Sequence, residues 1–306
     1  MSDVTLLDGG MGQELVRRSD FPATPLWSTQ ALIDQPGLVA EVHAEYAACG
    51  ATVATSNTYA LHRDRLRGGE TNHYAAEGLT LPDLEAKFEQ LLDSAMGEAQ
   101  SVRDCCRIAG SIGPLAASYR PDLHPSHDIA VPLYAEVAKR IAPTADVLLF
   151  ETVASVASAK AALEAGRQTE LPVWLSFTVD DEDGGFLRSG EPMQDAVYIA
   201  KDADAVLVNC SAPEAVPRAL DALSGVACPL GAYANGFEMI TKDFIAGGTT
   251  ADGLRARRDM GPETYAQHAL TWLDHGATIV GGCCEVGPAH ISELHRQLIT
   301  AGHRVV

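Results

Sequence analysis

Apolar residues along the chain fall into short runs, each closed by turn-forming or acidic residues and separated by stretches with helical spacing. The runs are VTLLDGG (4–10), ATVATSNTY (51–59), CRIAGSIGP (106–114), DVLLFET (146–152), PVWLSFTV (172–179), AVLVNCSAP (205–213), CPLGAYANG (228–236) and ATIVGGCCE (277–285), which makes eight candidate strands. Between them, QPGLVAEVHAEYAACG (35–50) sets Leu38, Val42, Tyr46 and Ala47 on one helical face ahead of Gly50. ASVASAKAALEAGRQ (154–168) is alanine-rich and has a closing glycine, Gly166. Strand followed by helix, repeated, predicts a parallel sheet. The unbroken apolar cores VLLF and AVLV fit strands covered on both faces. Eight such units predict an α/β chain folded as a (β/α)8 TIM barrel, a single domain over 1–306, with an open doubly wound sheet as the alternative. Two connections, about 61–104 and 236–262, are longer than a barrel unit needs, and loops of that length tend to be lids or disordered surface.

A barrel enzyme carries its chemistry at the carboxyl ends of its strands, and the unusual residues of this chain fall there. They are Asp8 with Gly9 and Gly10, Asn57 and Thr58, Glu151, Asn209 and Cys210, Asn235, and the pair Cys283 and Cys284. Cys210 and the pair could converge across the mouth of a closed barrel although 283 − 210 = 73 residues separate them. Adjacent strand residues normally point to opposite faces, so Gly281 and Gly282 are expected to loosen the backbone and turn both thiols inward. Three thiolates suit a borderline cation, chiefly Zn²⁺, and leave one tetrahedral position open. The competing reading is three buried cysteines acting as small apolar residues. Cys105 and Cys106 precede the third run at the opposite end, Cys49 closes a helix and Cys228 opens a strand, so these are structural. No histidine pair has a metal-binding spacing on one helix face.

LLDGGMGQEL closes the first run with an acid and a glycine-rich turn whose amides could approach an anion such as a carboxylate, and a simple turn is the alternative. Glu151, at the end of a strongly apolar run, could meet an ammonium, or else cap a helix. Donors for a carboxylate, acids for an ammonium and a metal open to sulfur together describe a pocket for an amino acid bearing a sulfhydryl group.

Composition and charge narrow the setting. The chain has 306 residues, 46% hydrophobic and 21% charged, the profile of a folded globular protein. No apolar run reaches the roughly 18 residues of a membrane span and no leader pattern opens the sequence, so a cytoplasmic protein without membrane partners is expected. The net charge of −19, with 22 basic against 41 acidic residues, disfavours nucleic acid as a partner; solubility is the plain reading of that charge and attraction of a cationic ligand the functional alternative. Seven cysteines without a leader argue for thiols or metal thiolates rather than disulfides.

LLDGGMGQEL (6–15), PLWSTQALIDQPGLVAEVHAEYAACGATVATSNTY (25–59), FETV (150–153), LVNCSAP (207–213) and TIVGGCCEVGPAHI (278–291) together resemble the homocysteine S-methyltransferase family, from about residue 4 to 300. The resemblance implies a (β/α)8 barrel whose zinc is held by Cys210, Cys283 and Cys284. It also implies that Asp8 and Glu151 hold the amino group of homocysteine, that the Gly9–Gly10 turn meets its carboxylate, and that Thr58 lies beside the substrate. The implied partners are small molecules, homocysteine and a methylated cationic donor, acting on a monomer or small homo-oligomer. Thr152 stands where the betaine branch carries a tyrosine, and PLWS, with Trp27, is similar to the S-methylmethionine branch. The donor expected is therefore S-methylmethionine or S-adenosylmethionine. The alternatives are betaine or another donor, selenocysteine, selenohomocysteine or another thiol as acceptor, and a barrel with a structural zinc and a binding role only.

Overall fold

Each of the eight runs supplies one strand, and all neighbouring strands are parallel. They are β1 (Asp3–Leu6), β2 (Val53–Thr55), β3 (Arg107–Ile112), β4 (Val147–Val153), β5 (Val173–Phe177), β6 (Ala205–Asn209), β7 (Leu230–Tyr233) and β8 (Ala277–Val280). The computed structural model describes residues 2–19, 28–66, 84–240 and 255–306. Trp27 and the middle parts of both long connections, 67–83 and 241–254, lie outside the described residues.

Hydrogen bonding runs in chain order from β2 to β8, and β8 then pairs with β1 through Thr5–Ile279 and Leu6–Val280. The sheet closes where β1 meets β2. Leu7 bridges Val53, the Asp8 amide donates to the Val53 carbonyl at 3.1 Å, and the Thr52 amide donates to the Leu6 carbonyl at 2.8 Å. Those contacts exclude the open doubly wound sheet and make a barrel. The strands are shorter than the apolar runs because the tail of each run leaves the sheet to build the mouth.

Among the described residues the helices are α1 (Met11–Arg18), α2 (Ser28–Asp34), α3 (Leu38–Ala48), α4 (Arg63–Leu66), α5 (Phe88–Ala99), α6 (His127–Ile141), α7 (Val156–Gly166), α8 (Met193–Ala200), α9 (Val216–Leu223), α10 (Pro262–Asp274) and α11 (Pro288–Thr300). Local chemistry fixes several of their ends. At the start of α7 the Ser155 hydroxyl accepts from the Ser158 amide at 3.1 Å in a capping box. Helix α3 buries Val39, Val42, His43 and Tyr46, close to the face expected from its spacing. Among the described residues no helix is long and apolar enough to cross a membrane.

A ninth strand, β9 (Arg304–Val305), has no counterpart in the sequence reading, since two residues carry no periodicity. It pairs with β1 through Asp3–Arg304 and Val4–Val305, and Thr52 Oγ1 donates to the Val306 carbonyl at 2.7 Å. The strand thus fills the gap between β1 and β2 at the amino-terminal end of the barrel.

Two apolar layers result. One packs the helices against the outside of the sheet; the other fills the lumen with Leu7, Val53, Ala109, Val147, Leu149, Trp174, Ala205, Leu207, Tyr233 and Ile279. Trp174 plugs the amino-terminal end, with the Arg107 guanidinium 5.6 Å from the centre of its ring.

Candidate active site

Inward-facing residues alternate along each strand, so continuing the lumen positions by two residues names the floor of the mouth. Val147 and Leu149 lead to Glu151, Ala109 to Ser111, Trp174 to Ser176, and Ala205 and Leu207 to Asn209. All four next positions are polar and buried. The Ser111 hydroxyl donates to Glu151 Oε1, and the Tyr233 hydroxyl donates to Glu151 Oε2 at 3.0 Å. Burial pushes the Glu151 carboxyl up to about 7, and Cys210 and Asp8 push the same way against those two hydrogen bonds. Thr58 belongs to this network: its hydroxyl donates to the Ser111 carbonyl at 2.6 Å and contacts Ser56 Oγ at 2.7 Å.

Asp8 is equally buried, and its Oδ2 accepts from the Thr55 amide at 2.7 Å. Burial outweighs that bond and raises its carboxyl to about 7. The nearest imidazole, His43, has Nδ1 4.0 Å from Oδ2, and burial lowers its own pKa to about 4, so it stays neutral and offers Asp8 no cation. Two buried acids within electrostatic reach of each other therefore lack a charged partner, the setting in which a ligand ammonium is most strongly held.

The three thiols singled out in the sequence meet at this mouth. Cys210 Sγ is 2.7 Å from Cys283 Sγ, Cys283 Sγ is 4.0 Å from Cys284 Sγ, and all three sulfurs lie within 4.8 Å of one another. The close contacts with Cys283 and Cys284 hold the Cys210 thiol well below the usual range, and the same contacts push the other two thiols well above it. Several thiolates at such spacing need a cation among them, and this group could hold a metal ion. Tetrahedral Zn–S bonds of about 2.3 Å set sulfurs about 3.8 Å apart, which the Cys283–Cys284 separation already matches; Cys210 would stand off from Cys283 by roughly 1 Å more. The donor set fits a zinc-like ion. The remaining cysteines, Cys49, Cys105, Cys106 and Cys228, lie away from the mouth, as expected.

Backbone strain aims these groups. In a regular strand Cys210 would point away from the lumen that Asn209 enters; instead it adopts φ +48°, a left-handed conformation uncommon outside glycine. Thr152, beside Glu151, takes φ +59° where the β4–β5 register slips between Phe150 and Val153. Asn209 locks the two kinks together. Its Oδ1 accepts from the Thr152 amide at 2.9 Å and from Ser176 Oγ at 2.8 Å, while its Nδ2 donates to Thr152 Oγ1 at 3.1 Å.

The glycines work differently from the expectation. Neither Gly281 nor Gly282 has a positive φ; the left-handed residue of this turn is Glu285, at +63°. A Cβ on Gly281 would lie 2.4 Å from Leu7 Cβ, and one on Gly282 2.1 Å from Val286 Cγ1, so both are needed for close approach rather than for backbone freedom. Gly9 and Gly10 face the same turn: a Cβ on Gly10 would sit 2.6 Å from the Cys283 carbonyl oxygen, and the Gly10 amide donates to the Val286 carbonyl at 2.9 Å. That amide is thereby committed, and the next donors along the chain are the amides that open α1, which have no intrahelical partners.

Sequence reasoning missed Tyr119 and Tyr233. Tyr233 was findable by counting two residues back from Asn235, whereas Tyr119 lies in an irregular loop at φ +62°, packed with Cys210 and Ile240 over the thiols, and carries no local signal.

A family model described as homocysteine S-methyltransferase matches residues 5–298. The homocysteine S-methyltransferase of Escherichia coli (strain K12) is 29% identical over 95% of this chain and 94% of its own length. The homocysteine S-methyltransferase YbgG of Bacillus subtilis (strain 168) is 28% identical over 94% and 92%. The crystal structure of the metallated form of the homocysteine methyltransferase MmuM from Escherichia coli superimposes with a TM-score of 0.76 at 27% identity, covering 97% of this chain and 96% of that one. The chain belongs to the homocysteine S-methyltransferase family.

Proposed function

We propose that this protein transfers a methyl group from a sulfonium donor, S-methylmethionine or S-adenosylmethionine, to the thiol of L-homocysteine, giving methionine. The observation that carries this reading is the convergence of three sulfurs on one point at a mouth floored by two buried, uncompensated carboxyls. Cys210, Cys283 and Cys284 would hold a zinc ion, which when bound supplies the positive charge that keeps a coordinated thiol as thiolate near neutrality.

The chain's own residues then act on the substrate. Asp8 and Glu151 take its ammonium, and each carboxyl, poised near 7 by burial, ionises as that cation arrives. Ser111 and Tyr233 hold the Glu151 carboxylate in place, and Thr58 fixes Ser111 from behind. The first-turn amides of α1 and the positive end of its dipole meet the substrate carboxylate beside the Gly9–Gly10 turn. The substrate sulfur attacks the donor's methyl carbon in line; a sulfur–carbon bond forms, the sulfonium–methyl bond breaks with its electron pair staying on the departing sulfide, and the thiol proton leaves to solvent. Anionic nucleophile and cationic donor neutralise one another, which the acidic surface of the chain, −19 overall, assists by drawing the cation in. Thr152 and its hydroxyl adjoin Glu151 in place of an aromatic ring, which favours a sulfonium over betaine. A cytoplasmic setting suits seven cysteines that are all free.

Incubating the zinc-loaded protein with homocysteine and a panel of methyl donors, and following thiol loss and methionine appearance, tests the reaction. Turnover with a sulfonium is expected, and none with any sulfonium sinks the reading. Metal analysis should find Cys283→Ser stripped of bound zinc; unchanged stoichiometry would remove the thiol site.

A further inference from the structure

Helix α1 is welded to the turn that carries Cys283 and Cys284. The Gly282 amide donates to the Asp8 carbonyl at 2.9 Å, the Gly10 amide to the Val286 carbonyl at 2.9 Å, and Gly10 leaves no room for a side chain against the Cys283 carbonyl. Gln13 lies three residues further along this helix. Side chains on a helix lean toward its amino terminus, so Gln13 reaches back to the level of Gly10, where a Cβ would stand 3.3 Å from Cys284 Cα. Gln13 is 7% exposed, and neither Nε2 nor Oε1 makes a hydrogen bond.

A buried primary amide with nothing to bond is costly and calls for an explanation in the chemistry around it. Packing alone is a poor one, since leucine would fill the same volume without the loss. The neighbour is sulfur. A thiol accepts hydrogen bonds weakly, whereas a metal-bound thiolate is an ionised acceptor that makes the shorter and stronger kind. The partner that matches this donor is therefore Cys284 in its metal-bound state.

We propose that Gln13 is a positioning residue for the metal-bound triad, its Nε2–H donating to the Cys284 sulfur, where it fixes that ligand's direction and draws off part of its charge. The inference rests on the thiol metal site proposed above and adds to it a residue outside the ligand set. Partners of this kind are typically worth about 10–100-fold in metal affinity.

The test uses the full chain with two substitutions, Gln13→Leu, which keeps the bulk and removes the donor, and Gln13→Glu, which sets a carboxylate against the thiolates. Three readouts are taken: zinc affinity by competition with a chelating dye, the thiolate-to-metal charge-transfer band of the cobalt-loaded protein, and the melting temperature of the metal-free protein. For Gln13→Leu, affinity should fall about 10–100-fold. Its cobalt band should move to lower energy, as expected for a thiolate that has lost a hydrogen bond. The metal-free protein should melt at the same temperature or higher, because an unpaired buried amide is gone. Gln13→Glu should lose more affinity than Gln13→Leu.

An unchanged affinity and band in Gln13→Leu would overturn the proposal. So would an affinity loss accompanied by a lower melting temperature of the metal-free protein, which would make Gln13 a packing residue. If wild-type protein takes up neither zinc nor cobalt, or Cys283→Ser takes up as much as wild type, the thiol site itself falls, an outcome distinct from the failure of Gln13 alone.

Discussion

Among the described residues, left-handed turns between helix and strand at the amino-terminal end of the barrel are made by glycine, whereas the carboxyl-terminal end, in addition to Gly190 in the loop after β5, puts residues with side chains into the same conformation. The glycines are Gly50 ahead of β2, Gly276 ahead of β8 and Gly302 ahead of β9. Where it leaves strands at the carboxyl-terminal end, Thr152, Cys210 and Glu285 take positive φ with side chains attached, as do Ala116 and Tyr119 in the loop after β3. Every non-glycine positive φ among the described residues lies at the mouth. Each such residue costs on the order of 1–3 kcal/mol and persists only where its surroundings overdetermine it, as Asn209 does for Thr152. One end spends its side chains on stability and the other accepts strain so that particular atoms point inward.

The sharpest way to break this contrast is at Trp174. Trp174→Ala should cost about 3–5 kcal/mol of stability, read from urea unfolding, through the cavity left in the lumen. The activity of the molecules still folded should be unchanged; a drop in their kcat would show that the two ends are coupled.

A reversed pattern is expected at Glu151. Glu151→Gln should raise the KM for homocysteine about 10–100-fold, the worth of a buried charged hydrogen bond, while zinc content stays the same. Stability should move the other way. The Glu151 carboxyl binds its proton more tightly when folded, near 7 against an ordinary 4.5, so its contribution is full below about pH 4.5 and is lost as pH rises through 7. The Gln variant should therefore be the more stable by about 1–3 kcal/mol at pH 8 and show no advantage at pH 4. Equal stability at pH 8 would mean that burial of the charge costs less than its shifted titration implies.

The smallest effect concerns pH and substrate. Ammonium binding needs ionised carboxylates, so wild-type affinity for homocysteine, measured by calorimetry, should rise several-fold from pH 6 to pH 8. The slope should flatten in Glu151→Gln. A profile identical in both proteins would assign the titration to another group.

The barrel and its thiol cluster were both legible in the sequence, for different reasons. Eight apolar runs with helical spacers state a periodic fact, and periodic facts survive without tertiary information. Cys210, Cys283 and Cys284 sit at strand ends, so the topology that follows from the runs also brings them together. What stayed hidden depends on three-dimensional contact. The Asn209 clamp, Tyr119 over the thiols and the unpaired amide of Gln13 have no spacing of their own. For Gly281 and Gly282 the sequence suggests a loosened backbone because the freedom of glycine is a local property, whereas the absence of a Cβ matters only against a neighbour from elsewhere in the chain. Strand β9 was missed because two residues cannot display an alternation.

That last strand bears on how the barrel comes into being. Arg304 Nε donates to Asp3 Oδ1 at 2.8 Å across a separation of 301 residues, alongside the β1–β9 ladder. Contacts so distant along the chain form late, since their closure entropy has to be met before they return anything. Docking of the intervening helices shortens that closure, so the rim where Thr52 meets Val306 is expected to be a late-closing seam. Amides along that seam should be the last to gain protection during refolding and the first to exchange when the native protein breathes.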